Sequence, residues 1–413
     1  MNRKLIIYFL LFWGAGAFAS PLSFNGYVRN SVWSLYETGD FALVQNTFDL
    51  KFLYSKSKAR FKVNPVLYYY QNQDPESDRL EILFREAYLD LFFPSLDIRA
   101  GKQQIVWGKA DGVFITDVVS PKDLRKFILP DFEEVRIGVT ALKVDYYAGN
   151  STFELVWLPV FTPNRLPEEG SIWKKTPDFP ITPTYDYTQK DVDEKLENSE
   201  VFLKYSVITS LADLEIMGGY TWDDDPAFHQ NRIFTGATLT SLTLTPKHHR
   251  LGLFGGSFSS TVLEGWVVRG EAAYYLNKHF ATGDPNVKDG VTEKNYLHYL
   301  IGIDFSLFGA DMSIQAVQEW IQDYDNYLNQ DEFDTTFTFL IKNQYLNDTL
   351  TLEIFSYFGL NPKDALIRPK ITYSVSDGFD ASLGTNFFIG DKEGRFGQFK
   401  GNSMIYTQLK YSF

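Results

Sequence analysis

The stretch Ser403-Met404-Ile405-Tyr406-Thr407-Gln408-Leu409-Lys410-Tyr411-Ser412-Phe413 decides how the whole chain is read. Successive side chains of a strand point to opposite faces. Ile405, Thr407, Leu409, Tyr411 and Phe413 therefore share one face, with Gln408 and Lys410 on the other. The same period recurs upstream. Ile367, Pro369, Ile371, Tyr373 and Val375 alternate with Arg368, Lys370, Thr372 and Ser374; Val268, Gly270, Ala272 and Tyr274 alternate with Arg269, Glu271 and Ala273; Ala87, Leu89 and Leu91 alternate with Glu86, Tyr88 and Asp90. In a water-soluble sheet the polar face meets bulk water. Here the polar faces carry isolated charges of both signs, which suits a wet lumen with the apolar face turned to lipid.

Eighteen segments fit this pattern: 22–36, 41–55, 59–70, 80–92, 96–108, 136–148, 151–161, 197–208, 211–222, 248–260, 264–276, 295–308, 311–321, 334–344, 349–358, 365–375, 379–389 and 403–413. Residues 233–245 read either as a further pair of short strands or as extensions of their neighbours above the membrane. Every second connector is tiny, as in Lys56-Ser57-Lys58, Pro94-Ser95, Gly149-Asn150 and Ser376-Asp377-Gly378, and those between are mostly longer and polar. Membrane barrels have short turns at one end and long loops at the other. The expected fold is all-β, a transmembrane antiparallel β-barrel of about eighteen strands in one domain. The last strand, with Leu409, Tyr411 and Phe413, resembles the carboxy-terminal signal read by the barrel-assembly machinery, which makes that machinery and the outer-membrane bilayer the expected partners.

Composition agrees with this. Arg3 and Lys4 precede the apolar run Leu5 to Trp13, and Ala17-Phe18-Ala19 is a small-x-small site before Ser20. That is the layout of a secretory signal peptide, so residues 1–19 are expected to be cleaved and 20–413 to form the barrel. The chain has no cysteine. Without disulfides it needs another source of stability in an oxidising compartment, and barrel closure supplies one by pairing every backbone group. The net charge is −13, and loss of Arg3 and Lys4 takes it to −15, which argues against a nucleic-acid partner.

Arg99-Ala100-Gly101-Lys102-Gln103, then Trp107-Gly108, then Asp117 to Leu124 with Pro121, resemble a large group of Gram-negative outer-membrane proteins known only as a domain of unknown function, near the alginate-export and carbohydrate-selective porins; Arg269 to Tyr274 fits the same group. Lys102 stands where those porins commonly have Arg. The resemblance implies a porin-like barrel with Gly101, Gln103, Trp107, Gly108 and Pro121 as motif residues, and names no substrate. The segment after the fifth strand, 109–135, mixes Val113, Phe114, Ile115, Phe127, Ile128 and Leu129 with many charges. A solvated loop has no need of that apolar content, so the segment is expected to fold inward and narrow the lumen. The candidate constriction and lumen residues are Arg85, Arg99, Lys102, Asp117, Asp123, Arg125, Arg136, Arg269, Glu271, Arg368 and Lys370. On the assigned faces, cations outnumber anions, which leans toward an anion-tolerant interior.

Signals for chemistry are weak. Asp223, Asp225 and His229 lie on one loop and offer the acid and base of a hydrolase, but a solvated acidic loop or a divalent-cation contact is the plainer reading. His248-His249 lacks an acid at a spacing that would specify a metal site. No cofactor motif is present. The sequence points first to a channel for small polar or amphipathic solutes, second to a plugged barrel partnering an envelope transport system in the periplasm, and third to a membrane hydrolase.

Overall fold

A computed structural model describes residues 21–72, 79–175 and 179–413. The expected signal segment 1–19 lies outside them. The elements run β1 (Leu22–Leu35), β2 (Phe41–Lys56), β3 (Ala59–Tyr70), β4 (Leu80–Phe93), β5 (Leu96–Gln103), β6 (Arg125–Ile128), α1 (Phe132–Val135), β7 (Val139–Ala148), β8 (Ser151–Leu158), β9 (Thr184–Tyr185), β10 (Glu200–Ile208), β11 (Asp213–Trp222), β12 (Ala227–Thr235), β13 (Thr238–Lys247), β14 (Arg250–Leu263), β15 (Trp266–Ala281), β16 (Val291–Leu307), β17 (Ala310–Ile321), β18 (Phe333–Tyr345), β19 (Leu350–Leu360), β20 (Lys363–Ser376), β21 (Phe379–Gly390) and β22 (Met404–Ser412). All but β6, β9, β12 and β13 join in an 18-stranded antiparallel sheet. It closes where β1 pairs with β22, from Tyr27↔Ser412 to Leu35↔Met404. The seam is locked by reciprocal 3.0 Å bonds between the backbones of Gly26 and Phe413. A closed sheet leaves no edge, so every spanning strand pairs on both sides.

The alternation read from the sequence sets the two surfaces. Ile405, Leu409, Tyr411 and Phe413 are exposed on the outer wall, while Met404 and Tyr406 are buried inside. Aromatic side chains gather on the outside near the short turns (Tyr54, Phe61, Phe93, Tyr146, Tyr345, Tyr373) and near the long loops (Phe41, Tyr69, Phe84, Phe333). Two belts of this kind mark the edges of an apolar band in membrane barrels.

One expected strand boundary moves, one open alternative is settled and one bulge is added. The fifth strand stops at Gln103 and the sixth wall strand, β7, starts at Val139, so the segment between them is longer than expected. The region 227–247 forms the hairpin β12–β13, which takes β9 as a third, parallel strand outside the barrel. A register shift at Asn64/Pro65 leaves Arg85 as an extra residue between the pairs Asn64↔Glu86 and Pro65↔Phe84. Proline has no N–H to give a ladder, so a bulge is its natural place. The bulge turns both Arg85 and Glu86 into the lumen, where both are buried.

Candidate functional site

The motif residues turn the chain inward after β5. Gly101 has φ of +126°, and a Cβ there would lie 2.4 Å from the Ala87 carbonyl oxygen; glycine alone fits. Gln103 Nε2 donates to the Ala141 carbonyl at 3.1 Å. Ile105 N donates to Ser120 Oγ at 2.9 Å, which folds the segment back on itself. Trp107 Nε1 donates to Glu154 Oε1 at 2.6 Å, and its ring meets Phe202 edge-on. Gly108 lets Asp117 approach, since a Cβ there would sit 3.1 Å from the Asp117 Cβ. The Pro121 carbonyl accepts from Ile137 N at 2.7 Å. Lys122 Nζ donates to the Asp117 and Ser120 carbonyls at 2.6 and 2.7 Å, and Arg136 Nε pairs with Asp117 Oδ2 at 2.6 Å.

From this anchor the segment crosses the lumen and bonds to walls all around it. Arg269 Nη1 donates to the Lys109 carbonyl at 2.5 Å, and Arg269 also pairs with Asp111. Glu271 Oε2 accepts from the Thr116 hydroxyl at 2.7 Å. Tyr357 donates to the Gly112 carbonyl at 2.7 Å, and Arg368 Nη2 to the Leu129 carbonyl at 2.6 Å. On the far side Arg29 pairs with Glu134 at 2.7 Å. Lys126 Nζ bonds Gln45 and, at 3.2 Å, the Tyr70 hydroxyl. Apolar contacts follow the same path. Ile115 and Val119 pack on Val156, Leu253, Leu300 and Val317 of the wall. Phe127 stacks on Trp173 and meets Phe396 and Phe399.

Among the described residues two cavities stand out. One, of about 270 Å³, lies at mid-height beside β1 and β18–β22; Arg29, Lys126, Arg368 and Lys370 line it together with Asp111, Glu134 and Glu353. The other, of about 360 Å³, lies at the long-loop end beside β11 and β14–β17; Asp223, Asp224, Asp225, Glu319, Lys122 and Lys278 are in its wall. Burial pushes the Lys126 ammonium down to about 8. Burial opposes ionisation of Glu134, but the Arg29 guanidinium outweighs it and holds the carboxyl below the usual range. Burial raises the Asp224 carboxyl well above that range.

Residues 36–413 match the family described as Protein of unknown function (DUF1302). The chain belongs to that family. No functionally curated protein matches it by sequence. Among solved structures, OccAB2 of Acinetobacter baumannii aligns at 10% identity over 97% of this chain and 99% of that one, with a TM-score of 0.55. A BenF-like porin from Pseudomonas fluorescens Pf-5 aligns at 8% identity over 95% and 98%, with a TM-score of 0.56. OccK8 (OprE) of Pseudomonas aeruginosa aligns at 9% identity over 95% and 97%, with a TM-score of 0.54. At this identity the likeness is one of fold: this DUF1302 chain is a porin-like barrel.

Within the DUF1302 barrel the expected lumen residues sort unevenly. Arg269, Glu271, Arg368 and Lys370 are on the inner wall, the first three bound to the inward segment. Arg85 is buried against Asp49. Arg99 pairs with Asp90 at 2.6 Å. Asp123 and Arg125 form a cluster with Glu81 and Arg165, whereas Asp117 and Arg136 brace the segment from within. Lys102 is a correction: it pairs with Ala87 and Thr140, on the outward row that carries exposed Leu89. The period-two rule puts it opposite to Arg99 in face, so it is no lumen residue. Asp49, Glu154, Glu200, Glu215 and Glu353 also lie on inner faces, beside the lysines and arginines. The hydrolase residues are not brought together: Asp223 pairs with Lys278, Asp225 accepts from Asn164, and His229 faces Asp289 and His249. Among the described residues no three His, Cys, Asp or Glu side chains are arranged to enclose a metal. The sequence reading missed the inward packing of Trp173 and of the turn at Gly397–Asn402 with Phe399. Their signal was present, since buried aromatics within polar loops were the very argument used for 109–135.

Proposed function

We propose that the protein is a channel of the bacterial outer membrane that passes small polar or amphipathic solutes through a narrowed lumen. The carrying observation is the inward segment, tied to opposite walls while charged cavities stay open beside it. In this reading the short turns face the periplasm and the long loops face outside. Solutes would enter at the acidic outer cavity and pass the mid-height cavity, where cationic and anionic groups face each other across the path. Charged walls of both signs favour polar solutes that can pair with each. The test is single-channel current in planar bilayers with full-length, detergent-extracted protein. Discrete current steps are expected, with a larger step after deletion of 112–128 in a barrel that still shows a heat-dependent gel shift. Unchanged steps after that deletion would remove the constriction role. A silent barrel would favour the second reading, a plugged barrel serving an envelope transport system, for which the apolar packing of Ile115 and Val119 across the lumen already speaks.

A further inference from the structure

Three of the five histidines meet at the long-loop mouth, bordering the outer cavity but outside its lining; the His249 carbonyl accepts from Asp223 N at 2.7 Å. His229 is on β12, His249 is in the link between β13 and β14, and His279 is near the outer end of β15. His229 Nε2 and His249 Nε2 point at each other, 2.8 Å apart. His229 Nδ1 lies 2.9 Å from Asp289 Oδ2. The His249 ring lies flat on His279, with centroids 3.6 Å apart and planes within 9°. The adjacent His248 turns the other way, bonding the Asp223 carbonyl at 2.7 Å through Nδ1.

The chemistry of the pair is specific. With His229 as the neutral imidazole whose Nδ1 hydrogen goes to the Asp289 carboxylate, its Nε2 presents a lone pair and the His249 Nε2 hydrogen fills the gap between the rings. A carboxylate behind one imidazole nitrogen, leaving the other free, is the arrangement that orients metal-binding histidines. Two imidazole nitrogens about 2.0–2.1 Å from one ion stand about 2.9 Å apart at the right angle of a tetragonal ion and about 3.3 Å apart at the tetrahedral angle, so the observed 2.8 Å suits the tetragonal case once the rings turn toward the ion. On loading, the His249 hydrogen moves to Nδ1 and both Nε2 lone pairs turn to the ion. His229 keeps 16% of its side chain exposed, which gives an entry path.

We propose that His229 and His249 form a two-imidazole site for a first-row divalent cation, tightest for Cu²⁺ and weaker for Ni²⁺ and Zn²⁺. Water completes the coordination, Asp289 positions His229 and the stacked His279 braces His249. The ion would clasp the outer hairpin β12–β13 to the barrel wall at the mouth.

The test uses untagged full-length protein in detergent, with folding checked by the heat-dependent gel shift. CuCl₂ is titrated while electron paramagnetic resonance and calorimetry are recorded. One equivalent is expected, with hyperfine structure from two nitrogens. His229→Ala and His249→Ala should each lose the two-nitrogen signature. Asp289→Asn should weaken binding about 10–100-fold while keeping that signature, and His248→Ala and Mg²⁺ serve as controls without effect. No saturable binding by the folded barrel, or a two-nitrogen signal that survives both histidine substitutions, overturns the proposal and leaves the pair as a plain hydrogen bond.

Discussion

Lys126 shows what one side chain contributes when the fold places it. Its ammonium sits in a cage of Gln45, Tyr68 and Tyr70, with the two rings 5.3 and 4.8 Å from Nζ. Burial lowers its folded pKa to about 8 from 10.5. Between those values the folded state binds fewer protons than the unfolded one, so this residue makes stability rise with pH across that window. For transport the consequence is a mid-height cavity that loses one positive charge above about pH 8. Reversal potentials under a salt gradient should therefore move toward cation preference between pH 7 and 9, and Lys126→Gln should abolish the step. Gly101 is a second case. A side chain there meets the Ala87 carbonyl, and the left-handed φ adds strain of roughly 1–3 kcal/mol. Gly101→Val should lower the temperature at which the folded band is lost on gels, where Ala100→Val, on the exposed outer row, should not.

At the scale of elements, the inward segment is held by buried polar contacts more than by its own secondary structure, since its pieces are a four-residue strand and a four-residue helix. Trp107 is central: its indole N–H ends on Glu154, which also lies 3.5 Å from Lys143 and from Lys204. Trp107→Phe should cost roughly 1–3 kcal/mol by leaving that carboxylate short of a donor, read as a lower urea midpoint. Glu134→Gln should weaken the clamp of α1 to β1 through Arg29 and raise the frequency of open-channel flicker. Acid should mimic it. Glu134 titrates below the usual carboxylate range, so the clamp holds through mildly acidic pH and is lost once pH falls through that lowered value. Flicker that is the same at neutral and strongly acidic pH would separate α1 from gating.

For the whole molecule the governing feature is closure. β1 meets β22, and the last residue bonds to Gly26 across the seam. Deletion of Phe413 removes a pair of backbone bonds and an outer aromatic stacked near Phe48. The yield of heat-modifiable barrel should fall several-fold, with little change in the current of those barrels that form.

Period-two alternation is a local property of an extended backbone, so the eighteen wall strands, their faces and the rhythm of short and long connectors were legible from residues such as Ile405 to Phe413. The apolar content of 109–135 likewise announced a segment that must bury itself. Lys102 was placed in the lumen with Arg99, though alternation alone separates them. The bulge beside Pro65, which turns Arg85 and Glu86 inward together, depends on register between strands. The partners of the inward segment depend on more. Glu271 reaches Thr116, Arg368 reaches Leu129 and His229 reaches His249 across separations that no local rule spans. Only closure of the sheet sets the distance between opposite walls, and with it which charges neutralise each other and which space stays open.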